Sequence, residues 1–173
     1  EDMLITHRGL SGPSVLQISN YWLPGEAVTF DLSPTQNITD FIESAKEQSP
    51  EQQLHTCLGR ILPKRLLPII LDTTSGAGTQ EKPLLERTLK SLNSKDLGII
   101  ADKVHAWTVY PNGTEGYRTT EVTLGGVSTD HFSSKTMECK TVKGLYMVGE
   151  VLDVTGWLGG LNFQWAWSSG WVA

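Results

Sequence analysis

The hydrophobic period of this chain changes twice, and that change restricts its architecture more than any single motif. Ala27–Leu32 alternates apolar and polar residues as a half-buried strand does. From about residue 34 to 103 the texture is helical, with Ile38, Phe41, Ile42 and Ala45 at i, i+3, i+4 and i+7 on one apolar face. Beyond 103 the strand pattern returns: Val104–Tyr110 is rich in β-branched and aromatic residues, and Pro111-Asn112-Gly113-Thr114 carries a hairpin signal. Glu121–Leu124 and Thr136–Lys140 read as further strands. Strand material on both sides of a helical block predicts an α+β chain. A β domain over residues 1–33 plus 104–143 then carries a helical insertion over 34–103.

Local signals divide the block. Ser49-Pro50-Glu51-Gln52 reads as a helix start, with Ser49 as N-cap and Pro50 at the first position. Leu54, Leu58, Ile61 and Leu62 make the apolar face that follows. Thr73–Thr79 is small and glycine-rich, hence an exposed loop, and Pro83–Leu92 and Ser94–Lys103 read as two more short helices. Such helices are too short to stand alone and must pack on one another. Near the start, Ser11-Gly12-Pro13 opens a helix with Ser11 as its N-cap.

Composition removes several function classes. The 173 residues carry a net charge of −5, which supplies no basic field for non-specific nucleic-acid binding, so no nucleic-acid partner is expected. The longest apolar run, Leu66–Leu71, is interrupted by Pro68 and falls far short of a membrane span. Cys57 and Cys139 form no CxxC and read as free thiols in a reducing cytoplasm. No metal site is expected: His55 lies beside Cys57 without a second ligand at metal spacing, and His105 and His131 stand isolated and partly solvated. Ser11 has no nucleophile-elbow context.

The last thirty residues differ again. Leu145–Val148 is a continuous apolar run ending in Gly149-Glu150, which suits a buried parallel strand with an acid at its carboxyl end. Gly156, Gly159 and Gly160 then precede a helix over Leu161–Trp171. A glycine-rich loop opening a helix exposes backbone N–H groups at a positive dipole end, where an electron-rich ligand is favoured. Phe163, Trp165, Trp167 and Trp171 cannot share one narrow stripe, so this helix is apolar on several faces. Such a helix needs cover from a preceding domain, from the barrel, or from a second copy in a homodimer. The Trp-rich segment stops without a polar cap, as a piece cut from a longer protein does.

The block Gly144–Gly170 closely resembles the C-terminal flavin-binding signature of the HI0933-like family of NAD(P)/FAD-dependent oxidoreductases. Thr6-His7-Arg8-Gly9-Leu10-Ser11-Gly12-Pro13 resembles another motif of that family, as does Glu121-Val122-Thr123-Leu124-Gly125-Gly126-Val127-Ser128 with Thr136–Lys140. The resemblance implies a Rossmann-like FAD domain interrupted by a translation-factor-type barrel that itself carries the helical bundle. Residues 144–173 then form the C-terminal strand–loop–helix of the FAD domain. No GxGxxG follows a strand here, so the pyrophosphate cradle lies outside this sequence and the piece alone neither retains FAD nor acts.

Carried over by motif, Glu150 meets the ribityl or pyrophosphate region of FAD, and Asp153 is a second polar contact. Gly159, Gly160, Leu161 and Asn162 present backbone N–H groups to the pyrimidine edge of the flavin ring. Gln164 is either a structural cap or a further contact. His7 is either a proton donor or, the favoured alternative, a residue ordering its turn through backbone hydrogen bonds. Thr123, Gly125 and Gly126 fix a tight loop against the cofactor. The implied whole protein transfers a hydride through FAD, with NAD(P)H and a small-molecule substrate as partners. The rival is a non-catalytic barrel-plus-bundle module that binds a partner protein through its apolar helix.

Overall fold

A computed structural model describes residues 1–71 and 83–173. The predicted loop Thr73–Thr79 lies outside the described residues. The chain is mixed α/β, with two two-stranded antiparallel sheets and six α-helices among the described residues. It divides into two compact units, residues 27–111 and residues 1–26 with 112–173.

The unit 27–111 is built on the predicted amphipathic helix. Helix α2 runs over Ile38–Gln48 and buries Ile38, Ile42 and Ala45, three of the four expected positions; Phe41 is half-buried. Asn37 caps it by accepting from the N–H groups of Thr39 and Asp40 at 2.9 and 3.2 Å. The Ser49-Pro50 signal does not start a helix: Ser49 ends α2, residues 50–52 turn, and α3 begins at Leu54 with Gln53 before it. The reason is tertiary. Gln52, Gln53 and Leu54 engage the 87–89 backbone, through Leu89 N–H to Gln52 O at 2.9 Å and Leu54 N–H to Arg87 O at 3.0 Å.

Helices α3 (Leu54–Leu58) and α4 (Leu67–Leu71) complete one side of this core. Pro83–Leu92 forms two 3-10 turns rather than one helix, and α5 extends over Ser94–His105 behind an Asn93/Asp96 capping box. Arg87 holds Asp96 with two hydrogen bonds of 3.1 and 2.9 Å. The strand expected over Val104–Tyr110 shortens to β4, Trp107–Val109, because the helix claims Val104 and His105. Strand β4 pairs with β3, Val28–Phe30, in the register Thr29↔Thr108. The Pro111–Thr114 signal forms no hairpin, since the partner of β4 lies earlier in the chain.

His105 is not isolated. Its Nε2 accepts the Ile38 N–H at 3.3 Å, which places the proton of the neutral ring on Nδ1, facing Asp31 Oδ1 at 2.9 Å. Desolvation pushes the Asp31 carboxyl up, but the Ser33 N–H and the His105 ring outweigh it and hold the group below its ordinary value. Cys57 is buried, and burial pushes its thiol up against the opposing charge of Arg60.

The unit of residues 1–26 and 112–173 has little regular structure. Strands β1 (Leu4–Ile5) and β2 (Leu10–Ser11) form a short hairpin, followed by α1, Pro13–Ile18. Ser11 is a strand residue rather than the N-cap; Gly12 takes that place at φ 91°, where a Cβ would meet the backbone of Leu4 at 3.0 Å. No closed barrel forms among the described residues. Glu121–Leu124 is not a strand, and Thr136–Lys140 contributes only isolated bridges, Phe132↔Cys139 and Glu138↔Tyr146. Nor is Leu145–Val148 a buried parallel strand: Leu145 and Tyr146 are exposed, and the run leads into a 3-10 turn over Gly149–Val151. Apolar runs of this length suit several environments, and here only its second half, Met147 and Val148, meets the core of Phe132, Met137 and Leu152.

Helix α6, Leu161–Val172, is the predicted C-terminal helix. It seats on Gly149 through Ser169, Ala166 and the Trp165 indole. Ser169 Oγ accepts the Gly149 N–H at 2.9 Å, Trp165 Nε1 donates to Gly149 O at 3.0 Å, and an added Cβ at Gly149 would touch Ala166 Cβ at 3.5 Å. This contact is narrow, so Phe163, Trp167 and Trp171 stay 73%, 78% and 91% exposed. The expected packing of these rings against a barrel is therefore absent.

Candidate functional site

The motifs singled out in the sequence converge within the unit of residues 1–26 and 112–173. Gly126 sits on the 151–153 backbone, where a Cβ would lie 2.7 Å from Leu152 C. Val127 closes the seam: its N–H donates to Val151 O at 2.8 Å and its carbonyl accepts the Asp153 N–H at 2.9 Å. The loop beyond is held by Asn162, whose Oδ1 accepts the Gly156 N–H at 2.7 Å while Nδ2 donates to Gly156 O at 3.0 Å. The N-terminal motif region reaches the same loop. Gln17 Oε1 accepts the Leu158 N–H at 3.2 Å, and Trp157 Nε1 donates to Tyr21 Oη at 2.9 Å.

This bracing presents the N-terminus of α6. Gly160 is left-handed at φ 91°, ψ 3°, and Gly159 has φ 102°, conformations that favour glycine. The first helical bond runs from Gln164 N–H to Gly160 O, leaving the N–H groups of Leu161, Asn162 and Phe163 ahead of it. Among the described residues no side chain caps them, and no acid stands in the first turn. A Cβ added at Gly159 or Gly160 would meet nothing within 4 Å, so the approach to this backbone is open. Unspent donors, a positive dipole end and open space suit the electron-rich edge of a flat ring.

Glu150 lies in the Gly149–Val151 turn and not at a strand end, and Asp153 follows the seam. Both are exposed, and neither carboxylate takes part in a hydrogen bond or ion pair among the described residues. His7 occupies the exposed tip of the β1–β2 hairpin. The turn is ordered by Thr6, whose Oγ1 accepts from the N–H groups of Arg8 and Gly9 at 3.2 Å each; its short hydroxyl reaches where an imidazole does not. Gln164 is not a cap: its Nε2 donates to Ser168 Oγ at 2.8 Å along the helix, and the side chain is exposed. The brackets from Asn162, Gln17 and Tyr21 were missed. The only pointer to the first is a short amide placed two residues into a helix opened by Gly-Gly.

Two relatives named ribosomal RNA dihydrouridine synthase match almost the whole chain. The Haemophilus influenzae protein is 52% identical over 96% of this chain, and the Escherichia coli protein 51% over 99%. A Clostridium scindens relative named 3-dehydro-bile acid delta(4,6)-reductase is 34% identical over 99%. The chain spans about 40% of the length of these relatives. A family model described as HI0933-like protein barrel and H2TH domain matches residues 1–122, and the chain belongs to that HI0933-like family. The first two names run against the expectation of no nucleic-acid partner. Net charge averages over a whole surface and says nothing of a local basic patch.

Proposed function

We propose that this chain is part of a flavin-dependent oxidoreductase that saturates a carbon–carbon double bond, with uridine in ribosomal RNA as its substrate. The observation that carries the flavin assignment is the uncapped N-terminus of α6, opening on free space at Gly159 and Gly160. The substrate class rests on the names of the two relatives about half identical to this chain. Dihydrouridine is uridine with its C5–C6 double bond saturated, which takes one hydride and one proton.

Bound FAD would supply the hydride, replenished from NAD(P)H. The backbone N–H groups of Leu161 and Asn162, approached past Gly159 and Gly160, favour negative charge at the pyrimidine edge of the ring. The free carboxylates of Glu150 and Asp153 accept hydroxyl hydrogens of the cofactor's sugar-alcohol chain. The Asn162 side chain supports this loop through its two bonds to Gly156. His7 is the candidate proton donor on this chain.

The organisation 1–33 plus 104–143, 34–103 and 144–173 goes with this proposal, with 144–173 completing a Rossmann-like FAD domain. The exposed face of Phe163, Trp167 and Trp171 is then covered by the part of the protein that this chain does not span.

The test uses the full-length protein. It should purify yellow and, given NADH or NADPH, convert uridine to dihydrouridine in ribosomal RNA from cells lacking the gene. A colourless protein that leaves uridine unchanged refutes the proposal. A pair of full-length protomers joined through the Trp face would instead favour the homodimer.

A further inference from the structure

An RNA substrate meets an obstacle here, because the chain carries a net charge of −5 and repels a polyanion. The turn at residues 133–143 runs against that trend, with Lys135, Lys140 and Lys143 against the single acid Glu138. All three lysines are exposed. Lys140 and Lys143 border an open depression of about 460 Å³ that Ser133, Thr136, Thr141 and the acid Glu138 also line, and Lys135 precedes Thr136 on its edge in the chain. Lysine ammoniums interleaved with hydroxyls are the donors that proteins direct at nucleic-acid phosphates.

The turn holds these groups in fixed places. Ser133 N–H donates to Glu138 O at 2.9 Å, Met137 N–H to Ser133 O at 2.8 Å, and Cys139 N–H to Leu145 O at 2.8 Å. Met137 has φ 53° despite its side chain, a conformation retained while that side chain is buried beside Phe132. The Lys140 Nζ donates to the Asp130 backbone carbonyl at 2.8 Å, which uses one of its three donors. Glu138 turns one oxygen to the Gly144 N–H at 2.8 Å. Tyr146, bridged to Glu138 and about half exposed, offers a ring on which an unpaired base stacks.

We propose that the rim of Lys135, Lys140 and Lys143 is the surface on which the sugar–phosphate backbone of the RNA substrate rests. The proposal rests on the RNA-reductase reading above and adds to it where the polymer lies. The contacts position RNA and read no sequence, so affinity depends steeply on salt.

Full-length protein carrying Lys135→Glu and Lys143→Glu tests it, with a fluorescein-labelled oligouridylate as probe. Lys140 is left intact because it braces the turn. Losing two phosphate contacts should flatten the log affinity–log salt slope by about 1.4. The variant's deficit should then shrink about sevenfold between 50 and 200 mM salt. A second variant, Lys135→Gln with Lys143→Gln, gives the same reading if charge reversal prevents folding. A control with the same net charge, Lys95→Glu with Lys103→Glu on α5, should leave the slope unchanged. If the rim variants bind as the parent does, or the control weakens binding equally, the rim is not the RNA surface. If the parent protein makes no dihydrouridine in ribosomal RNA, the reductase reading fails instead.

Discussion

Replacing Gly126 by Ala probes the seam that brings two of the motifs together. The new Cβ would lie 2.7 Å from Leu152 C, 2.8 Å from Asp153 N and 2.8 Å from Val151 O, where ordinary contact is 3.4–4 Å. All three obstacles are backbone atoms and cannot swing aside, so the seam must part. Parting stretches both Val127 hydrogen bonds, at 2.8 and 2.9 Å. Overpacking costs about 1–3 kcal/mol, and each lost hydrogen bond about 1 kcal/mol. A loss of about 3 kcal/mol is expected, a large share of the roughly 5–15 kcal/mol that holds a domain folded. Gly125 supplies the contrast, with φ +88° and nothing within 4 Å of an added Cβ. Ala there meets only left-handed strain, about 1–2 kcal/mol. Urea unfolding of the full-length variants, followed by circular dichroism, separates the two. If Gly126→Ala unfolds within about 0.5 kcal/mol of the parent, the range of an ordinary surface change, the seam is not packed as described.

Asn162→Ala removes both bonds to Gly156 and leaves a backbone N–H and carbonyl to find water, a loss of about 1–3 kcal/mol. If the loop serves flavin, the full-length variant also binds FAD more weakly in a fluorescence titration; unchanged FAD affinity counts against that role. Asp31 contributes to acid stability in the helical unit. Its folded pKa lies below the ordinary 3.8, so its stabilisation is complete above that value and is lost as pH falls through the lowered one. Asp31→Asn should flatten the acid side of a thermal-melt pH series and leave its neutral side parallel to the parent's. An unaltered acid limb would mean that the His105–Asp31 contact contributes nothing.

Legibility followed the range of the physics involved. The α2 face and the C-terminal helix were readable because a 3.6-residue period and a Gly-Gly opening act within one or two turns. The Ser49-Pro50 start failed because the 87–89 backbone, distant in sequence, claimed the residues that would have formed the first turn. Leu145–Val148 failed for a related reason. An apolar run states that something covers it without stating which strand, helix or turn does so. In the candidate site, the glycines that free α6's first turn were visible in the sequence. Their supports were not, because Gln17, Tyr21 and Gly126 act across long sequence separations.

From its order of residues alone, the chain's helical middle, its glycine-opened final helix and its family likeness could be derived, since each depends on patterns within a short window. Tertiary structure decided which polar groups were already spent. It tied the Asn162 amide to Gly156, turned Gln164 along the helix, and left Glu150, Asp153 and the first N–H groups of α6 without partners among the described residues. A hydrogen bond consumes a donor wherever in the sequence its partner lies, so only the folded chain shows which groups remain for a ligand.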